Sequence, residues 1–189
     1  MVAATLMWIA VRKAKGAFGI LSPIWRNISF PNSFKVRIFK SKVVSVSLYG
    51  SITWIVTKSI TTKLQVFVNR CLSSIFHIYW PNTISNRNLL KMAEMQQINV
   101  IIKRHKWGWM GHTLRKDESW MAWQAMQWNP LDGIERKKGR LCETWRRTVE
   151  RECTNLNKTW PDLKQLAQPR VRWRVGIVDA VCPGREQGN

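Results

Sequence analysis

The run TKLQVFVNRCLSSIFHI, Thr62 to Ile78, decides the fold class. Its apolar residues Leu64, Phe67, Val68, Cys71, Leu72 and Ile75 fall at i, i+3, i+4, i+7, i+8 and i+11. At 3.6 residues per turn these positions share one stripe, so the run predicts an amphipathic helix that starts at Thr61 or Thr62 and buries that stripe. Cys71 belongs to the stripe and reads as a packing residue, because no base or metal partner lies near it in sequence. Trp80-Pro81 marks the expected stop, since the residue before a proline is pushed out of the helical region.

The same periodicity extends outward in both directions. Met1 to Phe18 reads as a helix with Leu6, Ile9, Ala10 and Phe18 on one side and Arg12, Lys13 and Lys15 on the other. Ser33 caps a helix running to about Tyr49, with Val36, Phe39, Val43 and Val46 inward and Gly50 as its end. Downstream, Ser85 caps a helix whose face carries Leu89, Met92, Ala93 and Gln96. Ile98 opens a central helix with the stripe Ile98, Ile101, Ile102, His105, Trp109 and His112. Asp117 or Ser119 caps a short helix bearing Trp120, Met121, Trp123, Ala125 and Trp128, and Asn129 to Gly139 is a turn-rich basic loop. From about Leu141 to Asn155 a helix turns Leu141, Trp145 and Val149 inward and Arg146, Arg147 and Arg151 outward. Thr159 or Asp162 opens a last helix with Leu163, Leu166 and Ala167. Pro169 has no N–H and clashes with the carbonyl of Gln165, so a kink or stop is expected near Gln168. A further segment from about Arg170 to Val181 then carries Trp173 and Ile177. The fold class is mainly α, a small helical assembly with basic loops.

Charge sets the class of partner. The chain has 189 residues, is 45% hydrophobic and carries a formal charge of +20, enough apolar content for a core and far too much cation for internal neutralisation. Residues 1–94 hold thirteen Lys/Arg and one acid, Glu94; residues 95–189 hold eighteen and ten. Such an excess expects an external polyanion, or an acidic neighbour in a longer parent. Cys71, Cys142, Cys153 and Cys182 show no C-x-x-C spacing, which leaves reduced, buried thiols rather than a disulfide framework or zinc ribbon. The longest later apolar run, Val43 to Val56, is too short to span a bilayer. No basic region precedes the apolar first eleven residues, so the expectation is a soluble chain of the nucleus or cytoplasm with no membrane partner.

The candidate contacts lie in two basic blocks. KRHKWGWMGHTLRK, Lys103 to Lys116, carries five Lys/Arg and no acid; RKKGRLCETWRR, Arg136 to Arg147, carries six against Glu143. Six of the twelve tryptophans fall between Lys103 and Arg147. Cations interleaved with flat rings suit a nucleic acid whose bases stack, and equally suit a solvated basic face over a Trp-rich core. On the first reading Lys103, Arg104, Lys106, Arg115, Lys116, Arg136, Lys137, Lys138 and Arg140 contact phosphate, and Trp107 or Trp109 stacks a base while the other packs in the core. His105 and His112 are seven residues apart, about 10 Å along a helix, too far to share one ion; His112 is read as packed and hydrogen-bonded. No metal, cofactor or catalytic residue is assigned. There is no Asp-Asp pair for a polymerase centre, and the only adjacent acids are Asp117-Glu118.

Several of these pieces together resemble the C-terminal tail of non-LTR retrotransposon reverse transcriptases of the RTE/jockey-like group. They are L-Y-G-x-x-T-W at Leu48–Trp54, K-L-Q-x-F-x-N-R-C-L at Lys63–Leu72, W-P-x-x-I-S-N at Trp80–Asn86 and K-W-x-W-x-G-H-T-L-R-K at Lys106–Lys116. W-N-P at Trp128–Pro130, K-x-G-R at Lys137–Arg140, T-W-R-R at Thr144–Arg147, L-A-Q at Leu166–Gln168 and R-W-R at Arg172–Arg174 follow in order. The resemblance implies a parent polyprotein with reverse transcriptase and endonuclease, both upstream of this chain. Residues 1–60 would then be thumb-like helices following the polymerase palm, 61–182 a Trp-rich basic C-terminal domain, and 183–189 a frayed tail. The implied role is a non-catalytic fragment with sequence-tolerant RNA or DNA binding. An inert relic of a decayed element, and a packing domain that needs the parent's polymerase region to complete it, stand as alternatives. Ser51, Ile52, Leu141, Cys142 and Pro169 depart from the family's usual residues and read as marks of decay.

Overall fold

The computed structural model describes residues 2–127 and 145–182. Among them every regular element is helical and none is a strand, as the periodicity predicts. The chain forms two compact units, Met1–Ile102 and Lys103–Asn189.

The first unit holds α1 (Val2–Ile20), α2 (Ser22–Arg26) and α3 (Asn32–Ile38), which continues through a π-helical stretch, Phe39–Val44, into α4 (Ser45–Ser47). Gly50 then takes a left-handed φ of 71°, a conformation glycine enters without a Cβ penalty, and ends the helix as expected. After a 3-10 turn, Ser51–Thr53, come α5 (Lys58–Ile75) and α6 (Asn86–Met92). All six stripe residues of α5 are buried. Thr57 caps α5, its hydroxyl accepting from the Ile60 N–H, and Ser85 caps α6 by accepting from Asn88 N–H.

Several boundaries and faces differ from the periodicity. The start of α5 is Lys58, and its end is Ile75 rather than Ile78: His77 turns left-handed and Ile78 N–H bonds back to Ser73 O, so the stop precedes Trp80-Pro81. In α1 the buried stripe is Met7, Ala10, Val11 and Ala14, with Ile9 outside. Small alanines on that face let α1 approach α4 closely, which a face built on Ile9 would not. Pro31, not Ser33, precedes the first turn of α3. In α6 Leu89 and Ala93 are buried as predicted, but Leu90 joins them and Met92 is exposed.

The division between units falls within α7 (Ile98–Leu114). The second unit continues with α8 (Met121–Gln127), α9 (Trp145–Asn155), α10 (Trp160–Ala167), α11 (Arg170–Trp173), a π-helical stretch Arg174–Val178 and α12 (Asp179–Val181). Its core gathers Trp107, Met110, Leu114, Met126, Val149, Cys153, Leu163, Ala167, Trp173 and Ile177. Thr159 and Asp162 form a reciprocal capping box at the start of α10, so the two predicted caps act together. The break at Gln168 and the restart at Arg170 fall where they are expected. Pro169 itself is the N-cap of α11 with an extended ψ of 113°, outside any helix interior, so it strains nothing and is part of the fold.

Candidate nucleic-acid interface

The residues expected to meet phosphate begin on α7, and the fold claims several of them first. Lys106 is only 4% exposed, and its ammonium sits 2.8 Å from the Glu152 carboxylate on α9. Trp107 is fully buried and donates its indole N–H to Glu152 Oε2 at 2.7 Å. One carboxylate therefore draws two consecutive residues of α7 inward, because a buried cation needs a partner and a buried indole N–H needs an acceptor. The buried face of α7 is consequently Ile98, Ile102, Lys106, Trp107, Met110, Gly111, Thr113 and Leu114. His105 and His112 lie exposed on other faces, which corrects the expectation of a packed His112.

Gly111 explains the glycine in this motif. A Cβ there would lie 2.2 Å from the Trp173 indole nitrogen. The bare backbone lets the Trp173 ring settle on α7 and donate to the Trp107 carbonyl at 2.9 Å. The two rings pack with centroids 5.9 Å apart. Trp107 of K-W-x-W-x-G and Trp173 of R-W-R are thus halves of one contact.

Two arginines, one on α7 and one just past its end, finish other helices. Arg115 Nη1 donates at 3.0 Å to the carbonyl of Ala167, the last residue of α10, which the break at Pro169 leaves without a helical partner. Arg104 Nη2 reaches the Cys182 carbonyl at 3.3 Å beyond α12 and Asp179 at 3.4 Å. The negative end of a helix dipole favours a cation at both places. Lys106, Trp107, Arg104 and Arg115 are therefore placed as structural groups, because each finds its partner inside the unit.

What remains outward is a different set. Lys103 is half-buried. Trp109 is half-buried with its ring edge-on to Trp145, centroids 6.0 Å apart, so of the two candidate tryptophans Trp107 is the core one. Lys116 is exposed, its ammonium 5.7 Å from the centroid of Trp120, and the His112 ring meets the same indole at 6.0 Å. Arg170, Arg172 and Arg174 are exposed around the buried Trp173, and the sequence reading passes over all three. The signal for Arg172 and Arg174 is R-W-R itself: a tryptophan turned inward sends the residues on either side outward. Arg136, Lys137, Lys138 and Arg140, with the W-N-P and K-x-G-R motifs, lie outside the described residues.

Cys71, Cys153 and Cys182 are free and buried. Burial pushes the Cys71 thiol up to about 12 and that of Cys153 up to about 11, so both are protonated and inert near neutral pH. Among the described residues no group of three His, Cys, Asp or Glu is placed to hold a metal ion. Also among them, no helix is long and apolar enough to cross a membrane.

The chain is similar to a protein of Caenorhabditis elegans described as transposon-derived, at 21% identity over 150 residues. The match covers 76% of this chain and 53% of the relative, so the chain spans about half the relative's length. No protein-family description matches the chain, and no solved structure does. The likeness to a transposon-derived protein and the exposed cations are together consistent with a nucleic-acid-associated fragment.

Proposed function

We propose that the chain is a non-catalytic C-terminal portion of a transposon-derived reverse transcriptase, binding RNA or DNA through its phosphates with little sequence preference. The observation that carries this reading is the surplus of cation that the fold does not consume. After Lys106, Arg104 and Arg115 have found internal partners, Lys116, Arg170, Arg172 and Arg174 still face solvent in a chain of charge +20. Non-LTR motifs in order along the chain, and likeness to a transposon-derived relative, point to the same kind of parent. Carboxylates for a two-metal centre have no counterpart in the sequence, so polymerisation and nicking would belong to the parent's upstream region.

The test is a salt titration of binding to single-stranded RNA and DNA. Log affinity should fall linearly with log salt, and replacing Arg170, Arg172 and Arg174 by Gln should flatten the slope by about 0.7 for each phosphate no longer bound. The pair Lys137→Glu and Lys138→Glu tests the basic loop in the same way. Salt-independent binding, or none, overturns the reading. Primer extension and nicking assays with Mg²⁺ on the same preparations should stay blank; activity that disappears on mutating Asp117 or Glu118 would refute the non-catalytic assignment.

A second reading draws on the first unit. Thirteen cations against one acid in residues 1–94 fit a module that packs on an acidic neighbour, such as the parent's polymerase region. Co-expression with that region distinguishes the two: a stable complex formed without nucleic acid favours packing.

A further inference from the structure

Trp120 is given no nucleic-acid contact by the sequence pattern, yet it has the geometry of a stacking group. It precedes α8, is 42% exposed, and stands beside Met121, which is 81% exposed. Lys116 and His112, about one helical turn apart in sequence, both reach the indole: the ammonium at 5.7 Å and the imidazole ring edge-on at 6.0 Å. The two carboxylates nearby are occupied locally. Asp117 accepts from Ser119 N–H at 2.9 Å, and its bonds with Ser119 hold its carboxyl below the usual range. Glu118 pairs with Lys164, whose ammonium also lies 5.7 Å from the Trp123 ring. Glu118 is paired with a cation, while Asp117, bonded to the neutral Ser119, keeps its negative charge; Arg170 adds positive field at Arg115, next to Lys116 in sequence.

We propose that Trp120 is the base-stacking platform of the chain, taking an unpaired nucleobase of single-stranded RNA or DNA on its open surface. Lys116 and His112 hold the indole in place, and Lys116 contacts the adjoining phosphate. This replaces Trp107, which the core consumes, and it deepens the nucleic-acid reading, on which it rests. It also adds a preference: a stacked base must be unpaired, so single strands are favoured over duplex at Trp120, whereas phosphate contacts alone do not discriminate in this way.

The experiment compares wild-type chain with Trp120→Ala, Trp120→Phe and Trp120→Leu on labelled oligothymidylate and on a DNA duplex of the same length, at one salt concentration and then across a salt series. Trp120→Ala should weaken oligothymidylate binding about tenfold, the usual scale for removing one base–aromatic stack. Duplex affinity and the salt slope should not move. Phe should restore most of the loss and Leu little, which separates stacking from apolar packing; circular dichroism confirms that each variant is folded. Equal binding by Phe and Leu variants, or full binding by Trp120→Ala, overturns the stacking assignment. If the Arg170/Arg172/Arg174 variant still loses affinity in that case, the nucleic-acid reading survives it. Absence of binding by the wild-type chain ends both.

Discussion

The two units meet the same difficulty, too many cations for too few acids, in different ways. Within residues 1–94 only Glu94 is acidic, and lysines there meet backbone carbonyls and a ring. Lys35, 2% exposed, donates to the Trp25 carbonyl near the end of α2, Lys40 donates to the Glu94 carbonyl beyond α6, and Lys63 lies 4.8 Å from the Trp8 ring centroid. The core itself is apolar stripes. In the second unit one acid, Glu152, organises the centre by taking Lys106 and Trp107 together, and arginines close the ends of α10 and α12. In a core of stripes, trimming one side chain leaves a cavity but no unmet polar group. A core arranged about a carboxylate and a bare glycine is brittle, because removing one partner leaves buried polar groups unmet.

That contrast is open to attack, and Gly111 is the sharpest place. In Gly111→Ala the new methyl would occupy the space of the Trp173 indole, so the ring must leave the core. The loss should approach about 3–5 kcal/mol, the scale of deleting a buried tryptophan side chain. Against a total of about 5–15 kcal/mol that is a large share of the second unit's stability. Gly108 has open space at its Cβ position, so Gly108→Ala should instead gain about 1 kcal/mol of helix propensity. Chemical denaturation followed by circular dichroism measures both; a mild Gly111→Ala would mean that Trp173 does not hold the unit together.

Glu152→Ala comes next. It strands the Lys106 ammonium and the Trp107 N–H together, and breaking a buried pair by deleting one partner costs about 3–5 kcal/mol. The 15% exposure of the Glu152 side chain lets water recover part of this, so the lower end is expected. Glu152→Gln, which keeps an acceptor oxygen, should lose less. If Glu152→Ala melts no earlier than a surface control such as Glu118→Ala, the carboxylate is not the organising group.

The smallest effect is expected at Pro169. As an N-cap it already starts α11, so Pro169→Asp should add about 1 kcal/mol through a side-chain cap. It should leave the helical signal unchanged, because Arg115 still satisfies the Ala167 carbonyl. A rise in helical content would show that the proline, rather than the fold, imposes the break.

How far each unit is legible from its residues alone follows the same line. The α5 stripe is legible to the residue because all six of its members are apolar and spaced at one helical period. In α7 the same reasoning puts His105, Trp109 and His112 on the buried face, since histidine and tryptophan look more apolar than lysine. It fails because Lys106 goes inward. Among the site residues, the sequence marks the α7 block but not the internal partners its members take up. Arg104, Lys106, Trp107 and Arg115 build the unit, while Trp120, Arg170, Arg172 and Arg174 face outward.

What the sequence determined by itself was local. Helical class, the caps at Ser85 and Thr159 and the end at Gly50 each depend on residues within about one turn, where periodicity and hydrogen-bond geometry act directly on the chain. Only the tertiary structure decided which cations were left for a partner. Lys106 meets a carboxylate 46 residues away, Arg115 a carbonyl 52 away, and Trp173 a carbonyl 66 away. A charge is neutralised by whatever the fold brings within about 3 Å of it, and no pattern along the chain carries that distance.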